Sequence, residues 1–286
     1  MSDDLRVRQY DNWRKISERN SVICIYGSRG SGKSHLLAWL LCEMDRKKAF
    51  DFAFVMTPTS STQELLCKYV APSGIHTDMN PESLETVVMV QKMQPKKHRI
   101  VIVLDDCAYD KKISKSNVVN EVAANGRHLG ITLILTFQYL TMISPEIRTN
   151  CDLAIAFKEI SVRNLEMLYD NFFGVVENLS TFRIIMSSIC KKYRALICDH
   201  TRDSASVGDC LWMCKAPERV ERYRVAGLQW RMHDRFGLSS KEITRSQRKE
   251  YESRLVERGV LPAKPAKRRS KVAGDNATMV VFEREK

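Results

Sequence analysis

Gly27-Ser28-Arg29-Gly30-Ser31-Gly32-Lys33-Ser34 stands between an apolar run, Val22–Tyr26, and a helix-like stretch, Lys33–Met44. This is G-x-x-x-x-G-K-S in a strand–loop–helix setting, the context that gives the motif its physical meaning. Three glycines let the backbone turn its N–H groups inward, where they cradle phosphate oxygens. The start of the following helix adds unpaired donors and the positive end of its dipole, so His35, in its first turn, joins the nucleotide-binding stretch. Lys33 is placed to reach the β- and γ-phosphates, and the Ser34 hydroxyl to ligate Mg²⁺. The sequence therefore points to ATP and Mg²⁺ as ligands.

Around this loop, short strand-like runs alternate with helical stretches. The runs are Val22–Tyr26, Phe52–Met56, Ile100–Leu104, Ile131–Phe137 and Leu153–Phe157. Each is nearly continuous in apolar residues rather than alternating, as strands buried on both faces of a parallel sheet are. Helices are expected at Lys33–Met44, Thr62–Tyr69, Pro81–Met93 and Ser116–Asn125, with Asn80 capping the third. The pattern predicts an α/β fold, a P-loop NTPase with a mostly parallel central sheet flanked by helices. Beyond residue 160 the pattern loosens. Val162–Phe173 and Val175–Ser187 look helical, and Tyr193–Cys198 and Leu211–Met213 read as short edge strands. The expected organisation is an N-terminal segment (1–20), the ATPase domain (21–215) and a basic C-terminal extension (216–286).

A second half of the site follows from the third strand, which ends in Asp105 and Asp106. An acid at a strand's C-terminal end can hold Mg²⁺ opposite the loop hydroxyl, the role expected of Asp105. Asp106 is the candidate general base. About seventy residues separate loop and acidic strand, room for the extra strand Phe52–Met56 between them. That spacing leans towards the ATPase branch of recombinase-like motors (the ASCE/RecA-like branch), and no Asn-Lys-x-Asp guanine reader is present.

The stretch Asn125-Gly126-Arg127-His128-Leu129-Gly130-Ile131 to Gln138 puts a basic residue before a buried strand and an amide after it. Gln138, beside the phosphate loop, can sense the γ-phosphate or orient water. Arg127 lies roughly 20 Å away, if about six strand residues intervene at 3.3 Å each. It is therefore a candidate arginine finger for a neighbouring subunit's nucleotide, and that geometry predicts a ring.

Net charge is +12, which suggests a polyanionic partner. From Lys241 to Lys271 eleven Lys/Arg stand against four Glu. Ser239–Arg258 reads as a charged helix. Lys111, Lys112, Lys115 and the tail residues Lys264, Lys267, Arg268, Arg269 and Lys271 are candidate DNA-phosphate contacts, and the run Lys267 to Lys271 is also a candidate nuclear localisation signal or capsid-docking tail. The N-terminus has no signal-peptide pattern, and no stretch approaches the ~18 apolar residues of a transmembrane segment. Nine cysteines read as reduced structural thiols, and the spacings of Cys190, Cys198, His200, Cys210 and Cys214 fit no familiar zinc module.

The loop GSRGSGKS, the strand ending LDD and above all NGRHLGITLILTFQ resemble the viral genome-packaging ATPases of the FtsK–HerA superfamily, poxvirus and giant-virus type. Ser144 to Asp152 also resembles that family's segment before its last core strand. The resemblance runs from about Ser21 to Gly174. It implies a motor that hydrolyses ATP with Mg²⁺ to move double-stranded DNA into a capsid. It also implies a homo-oligomeric ring, pentamer or hexamer, docked on capsid or portal vertex proteins inside the infected host cell, in the viral factory or carried in the virion. By resemblance, Lys33 and Ser34 are the phosphate and magnesium residues, and Asp105 and Asp106 the acidic pair. Arg127 is then the trans-acting arginine, with Arg148 a second candidate, and Gln138 the sensor. One departure stands out, since the superfamily commonly has Asp-Glu where this chain has Asp105-Asp106. Alternatives with the same ATP parts are a DNA helicase, an AAA-type remodelling ATPase and an ATP-dependent switch protein.

Overall fold

Strand residues buried on both faces must find a covering layer on each side, and the chain supplies two. The computed structural model describes residues 7–46, 50–78, 80–106, 113, 116–204 and 206–236. The chain runs β1 (Arg8–Gln9), α1 (Trp13–Glu18), β2 (Val22–Tyr26), α2 (Lys33–Asp45), β3 (Phe52–Met56), α3 (Ser60–Leu66), β4 (Ile75–His76), α4 (Pro81–Met93) and β5 (Ile100–Leu104). It continues through α5 (Asn117–Asn125), β6 (Ile131–Phe137), α6 (Pro145–Thr149), β7 (Leu153–Ala156), α7 (Val162–Phe172), α8 (Leu179–Ile189), β8 (Ala195–Asp199), α9 (Val207–Cys210), β9 (Leu211–Cys214) and α10 (Gly227–Phe236). All strands join one sheet in the order β1-β9-β8-β7-β2-β6-β5-β3-β4. From β7 to β4 every pairing is parallel, whereas β8 runs antiparallel to both β7 and β9.

Alternate strand residues feed two apolar layers, as a period of two requires. Val22, Cys24 and Tyr26 face one layer, with Leu84 and Val88 of α4, Val119 and Val122 of α5, Leu168 of α7 and Phe182 of α8. Ile23 and Ile25 face the other, with Trp13 of α1, Leu37 and Leu41 of α2 and Leu66 of α3. Cysteines sit in both layers, where burial pushes the Cys190 thiol up to about 12.

The five expected core strands and the helix at Pro81–Met93 are present, and the Asn80 side chain accepts from the Glu82 N–H as a cap should. Three expectations need correction. The strand standing between the loop strand β2 and the acidic strand β5 is β6, not Phe52–Met56, which pairs on the far side of β5. Tyr193–Cys198 and Leu211–Met213 are interior strands, because β7 and β9 flank β8 and the two-residue β1 covers β9. The helix expected from Val175 begins at Leu179, where the Asn178 carboxamide accepts from the Thr181 N–H and sets the start.

The segments expected to flank the ATPase domain contribute to this unit. Residues 8–9 form the edge strand. Val225 and Ala226 are buried with the second layer, and the Ala226 N–H donates to the buried Asp45 carboxylate at 3.0 Å. The helix expected over Ser239–Arg258, the lysines Lys111, Lys112 and Lys115, and the run from Lys264 to Lys271 lie outside the described residues. No helix of the described residues is long and apolar enough to cross a membrane.

Candidate active site at the strand ends

Parallel strands deliver their C-terminal ends to one edge of the sheet, and three adjacent ends carry the expected chemistry. β2 leads into the glycine-rich loop, β6 ends next to Gln138, and β5 ends next to Asp105 and Asp106. The Gly27 N–H donates to the Phe137 carbonyl at 3.2 Å, which ties the loop to the end of β6.

The loop has the backbone the motif requires. Gly30 and Gly32 have φ of +77° and +103°, a region that favours glycine. Gly32 caps α2, so the helix N-terminus points at the loop. Ser28, Arg29 and Gly30 form its exposed tip. Lys33 is buried and folds back, its ammonium donating to the carbonyls of Gly27 (2.6 Å) and Ser28 (3.1 Å). Burial lowers its pKa, while the charges of Asp106 and Asp105 act in the opposite sense. The Ser31 hydroxyl is buried without a hydrogen-bond partner. An inward-turned loop with an orphaned hydroxyl and a buried ammonium fits a polyphosphate, whose oxygens accept from all three.

On the acidic side, Asp105 is buried and each of its oxygens accepts from a hydroxyl, Thr57 at 2.9 Å and Thr136 at 2.7 Å. Burial raises its carboxyl pKa, and the two threonine hydroxyls partly offset this by favouring the anion. Asp106 sits at φ +53°, its N–H donating to the Thr136 hydroxyl at 2.9 Å. Both of its oxygens accept from the Gln138 carboxamide, at 2.9 and 2.7 Å. The Ser34 hydroxyl lies 3.2 Å from that of Thr62 on α3. The Ser34 hydroxyl at the start of α2 and the Asp105 carboxylate after β5 are both hard oxygen donors of the kind Mg²⁺ takes, so the chemistry of these residues fits that ion. His35, in the first turn of α2, places its Nε2 2.7 Å from the Pro217 carbonyl.

Arg127 lies at the opposite edge, in the short 3-10 turn before β6. It is ion-paired to Asp152, a buried carboxylate whose other oxygen accepts from the Val22 N–H at 2.8 Å. Arg148, at the end of α6 on the same edge, donates to the Asn171 side chain at 2.9 Å.

Thr57, Thr62 and Thr136 are site residues that sequence reasoning missed. Thr57 directly follows β3, and a hydroxyl just past a parallel strand's C-terminal end was the available signal. Thr136 lies inside β6, where two polar side chains, Thr132 and Thr136, interrupt an otherwise apolar strand, and the second stands next to its C-terminal end.

Comparison with known proteins follows the same lines. Residues 9–215 match the family described as Poxvirus A32 protein. Protein 075L of Invertebrate iridescent virus 6 is 29% identical over 217 residues, covering 74% of this chain and 83% of that protein. Protein L437 of Acanthamoeba polyphaga mimivirus is 25% identical over 211 residues, covering 69% and 73%. Among solved structures, the genome packaging NTPase B204 of Sulfolobus turreted icosahedral virus 2 in complex with AMPPCP superposes with a TM-score of 0.53. It is 19% identical and covers 70% of this chain and 98% of that one, a likeness of fold.

Proposed function

The chain belongs to the poxvirus A32 protein family, and from that membership we propose that it is an ATP-driven, ring-forming translocase that moves viral double-stranded DNA into a capsid. The family match bears out the resemblance to genome-packaging ATPases, and the P-loop fold is that of a viral packaging NTPase. The observation that carries the proposal is the meeting of the loop, Asp105–Asp106 and Gln138 at three neighbouring strand ends.

In this proposal the loop N–H groups and Lys33 hold the β- and γ-phosphates, Lys33 exchanging the Gly27 and Ser28 carbonyls for phosphate oxygens. Ser34 and Asp105 would hold Mg²⁺, which when bound supplies charge neutralisation at the phosphates. Thr57 and Thr136 fix both oxygens of Asp105, so its orientation is set before the nucleotide arrives. Asp106 accepts the proton of the attacking water, and Gln138 steers that carboxylate from a position beside the phosphate loop. A neighbouring subunit completes each site with an arginine, Arg127 or Arg148, since both lie at the edge remote from their own loop. A motor that slides along duplex holds phosphates without reading bases, and the surplus of +12 supplies that grip.

Steady-state ATP hydrolysis tests this, measured without polymer, with linear duplex and with single-stranded DNA, at several protein concentrations. Stimulation by duplex that rises with protein concentration is the expected result. Stimulation by single strands alone would make the chain a helicase, and indifference to both polymers would remove DNA as its track.

A further inference from the structure

The two flanks of the phosphate loop differ. On one side lie β6 and β5 with Gln138 and the acidic pair, and on the other lie β7 and β8. If the γ-phosphate end faces the acids, the nucleoside end must leave the loop over β7 and β8. The turn entering β8 presents one large side chain there.

That turn is Lys191 to Arg194, closed by the Arg194 N–H donating to the Lys191 carbonyl at 3.1 Å. Both central residues are left-handed, Lys192 at φ +51° and Tyr193 at φ +63°. Two consecutive positive φ values make a primed turn, which favours Gly, Asn and Asp. Lysine and tyrosine are poor choices for it, and backbone strain of this kind gathers where a side chain must be held in one place. Tyr193 is 68% exposed, although its ring has apolar faces to cover. A Cβ built on Gly32 would lie 3.2 Å from the Tyr193 ring and 3.6 Å from that of Phe157. The tyrosine therefore lies against the last glycine of the phosphate loop, with one flank on the loop and much of its surface open.

The geometry points to Tyr193 as the stacking platform for the nucleobase of the bound nucleotide. The assignment rests on the nucleotide site proposed above and deepens it. An aromatic face stacks on any base, so Tyr193 supplies affinity for the nucleoside without reading base edges. The turn's strain has a use in this arrangement, because it aims the ring before the nucleotide arrives.

The test is calorimetric titration of the full chain with ADP and, separately, with inorganic tripolyphosphate, which has no base. Two substitutions separate the ring from the turn. Tyr193→Asn suits the left-handed backbone and removes the ring, while Tyr193→Phe keeps the ring. Loss of the platform is expected to weaken ADP about tenfold or more in Tyr193→Asn, with tripolyphosphate unchanged and Tyr193→Phe binding as the parent does. ADP affinity unchanged in Tyr193→Asn would overturn the assignment and leave the nucleotide site standing. Equal weakening of ADP and tripolyphosphate would also overturn it, because the residue would then be shaping the loop. A parent chain that binds neither probe would overturn the nucleotide site itself, and the platform with it.

Discussion

At the scale of single residues, the site is organised by hydroxyls as much as by charges. Thr136 donates to Asp105 and accepts from the Asp106 N–H, so one side chain sets the geometry of both acids. Thr136→Val removes the hydroxyl at nearly constant volume and leaves a buried carboxylate oxygen and an N–H short of partners. A loss of about 1–3 kcal/mol is expected in urea unfolding, with a fall in hydrolysis, and Thr136→Ser should restore both. Wild-type stability and hydrolysis in Thr136→Val would show that the bridge has no such role. The acid pair itself was legible in the sequence, because an apolar strand ending in two aspartates after a phosphate loop carries a chemical meaning. Thr62 was not legible and the signal of Thr57 was masked, since a threonine in Thr57-Pro58-Thr59-Ser60-Ser61-Thr62 reads first as turn or cap chemistry.

At the scale of elements, side chains stand in where strands are too short. β4 covers only Val55 and Met56 of β3. Next along that edge, Gln229 of α10 accepts from the Ala53 N–H at 2.9 Å and donates to the Ala53 carbonyl at 3.1 Å, replacing a strand partner. Gly74 must stay small there, because a Cβ would come within 2.3 Å of the Ala53 carbonyl oxygen. Gln229→Ala is expected to cost about 1–3 kcal/mol in urea unfolding, and an unchanged free energy would mean that water satisfies Ala53 equally well. A second tie joins the C-terminal end of α7 to the approach to β7. His200 places Nδ1 2.9 Å from the Cys151 carbonyl and Nε2 2.8 Å from the Phe172 carbonyl. Both nitrogens then donate, which requires the imidazolium. Burial lowers the ring's pKa, but contacts with the Cys151 side chain and the two carbonyls outweigh this and bring it to about 9, against 6.5 unperturbed. Between those two values the native state holds a proton the unfolded chain has lost. Its stabilisation is therefore complete below about 6.5 and disappears as the pH rises through about 9. Unfolding midpoints should fall across that window, and His200→Gln should flatten the fall. An equal fall in the variant would place its cause in another group.

At the scale of the whole molecule, Arg127 has two demands on it. In one chain it pairs with Asp152, joining the turn before β6 to the starts of β7 and β2. In the proposed ring it, or Arg148, reaches another subunit's nucleotide. Mixing two inactive variants separates the roles. Lys33→Ala disables its own phosphate loop but still offers an arginine, and Arg127→Gln keeps its loop and a donor for Asp152. If Arg127 acts in trans, the mixture should recover hydrolysis that neither variant shows alone, since a missing finger costs about 10³–10⁵ in rate. A mixture as inactive as its parts would mean that Arg127 serves its own chain, and hydrolysis retained by Arg127→Gln alone would leave Arg148 as the candidate trans-acting residue.

The sequence by itself determined the parallel α/β core, the phosphate loop and the acidic strand, because each is written in contiguous residues. A run of five buried apolar residues, a glycine pattern and a strand-final acid need no knowledge of distant chain. Tertiary structure alone decided which strands lie side by side. It put β6 between loop and acids, made β8 an interior strand, brought Gln138 onto Asp106 and paired Arg127 with Asp152. Lateral strand order depends on how crossovers pass over the sheet, and partners 25 to 32 residues apart leave no local pattern. The edges escaped sequence reading for a related reason, since two-residue strands such as Arg8–Gln9 and Ile75–His76 exist only because a longer neighbour offers them hydrogen bonds.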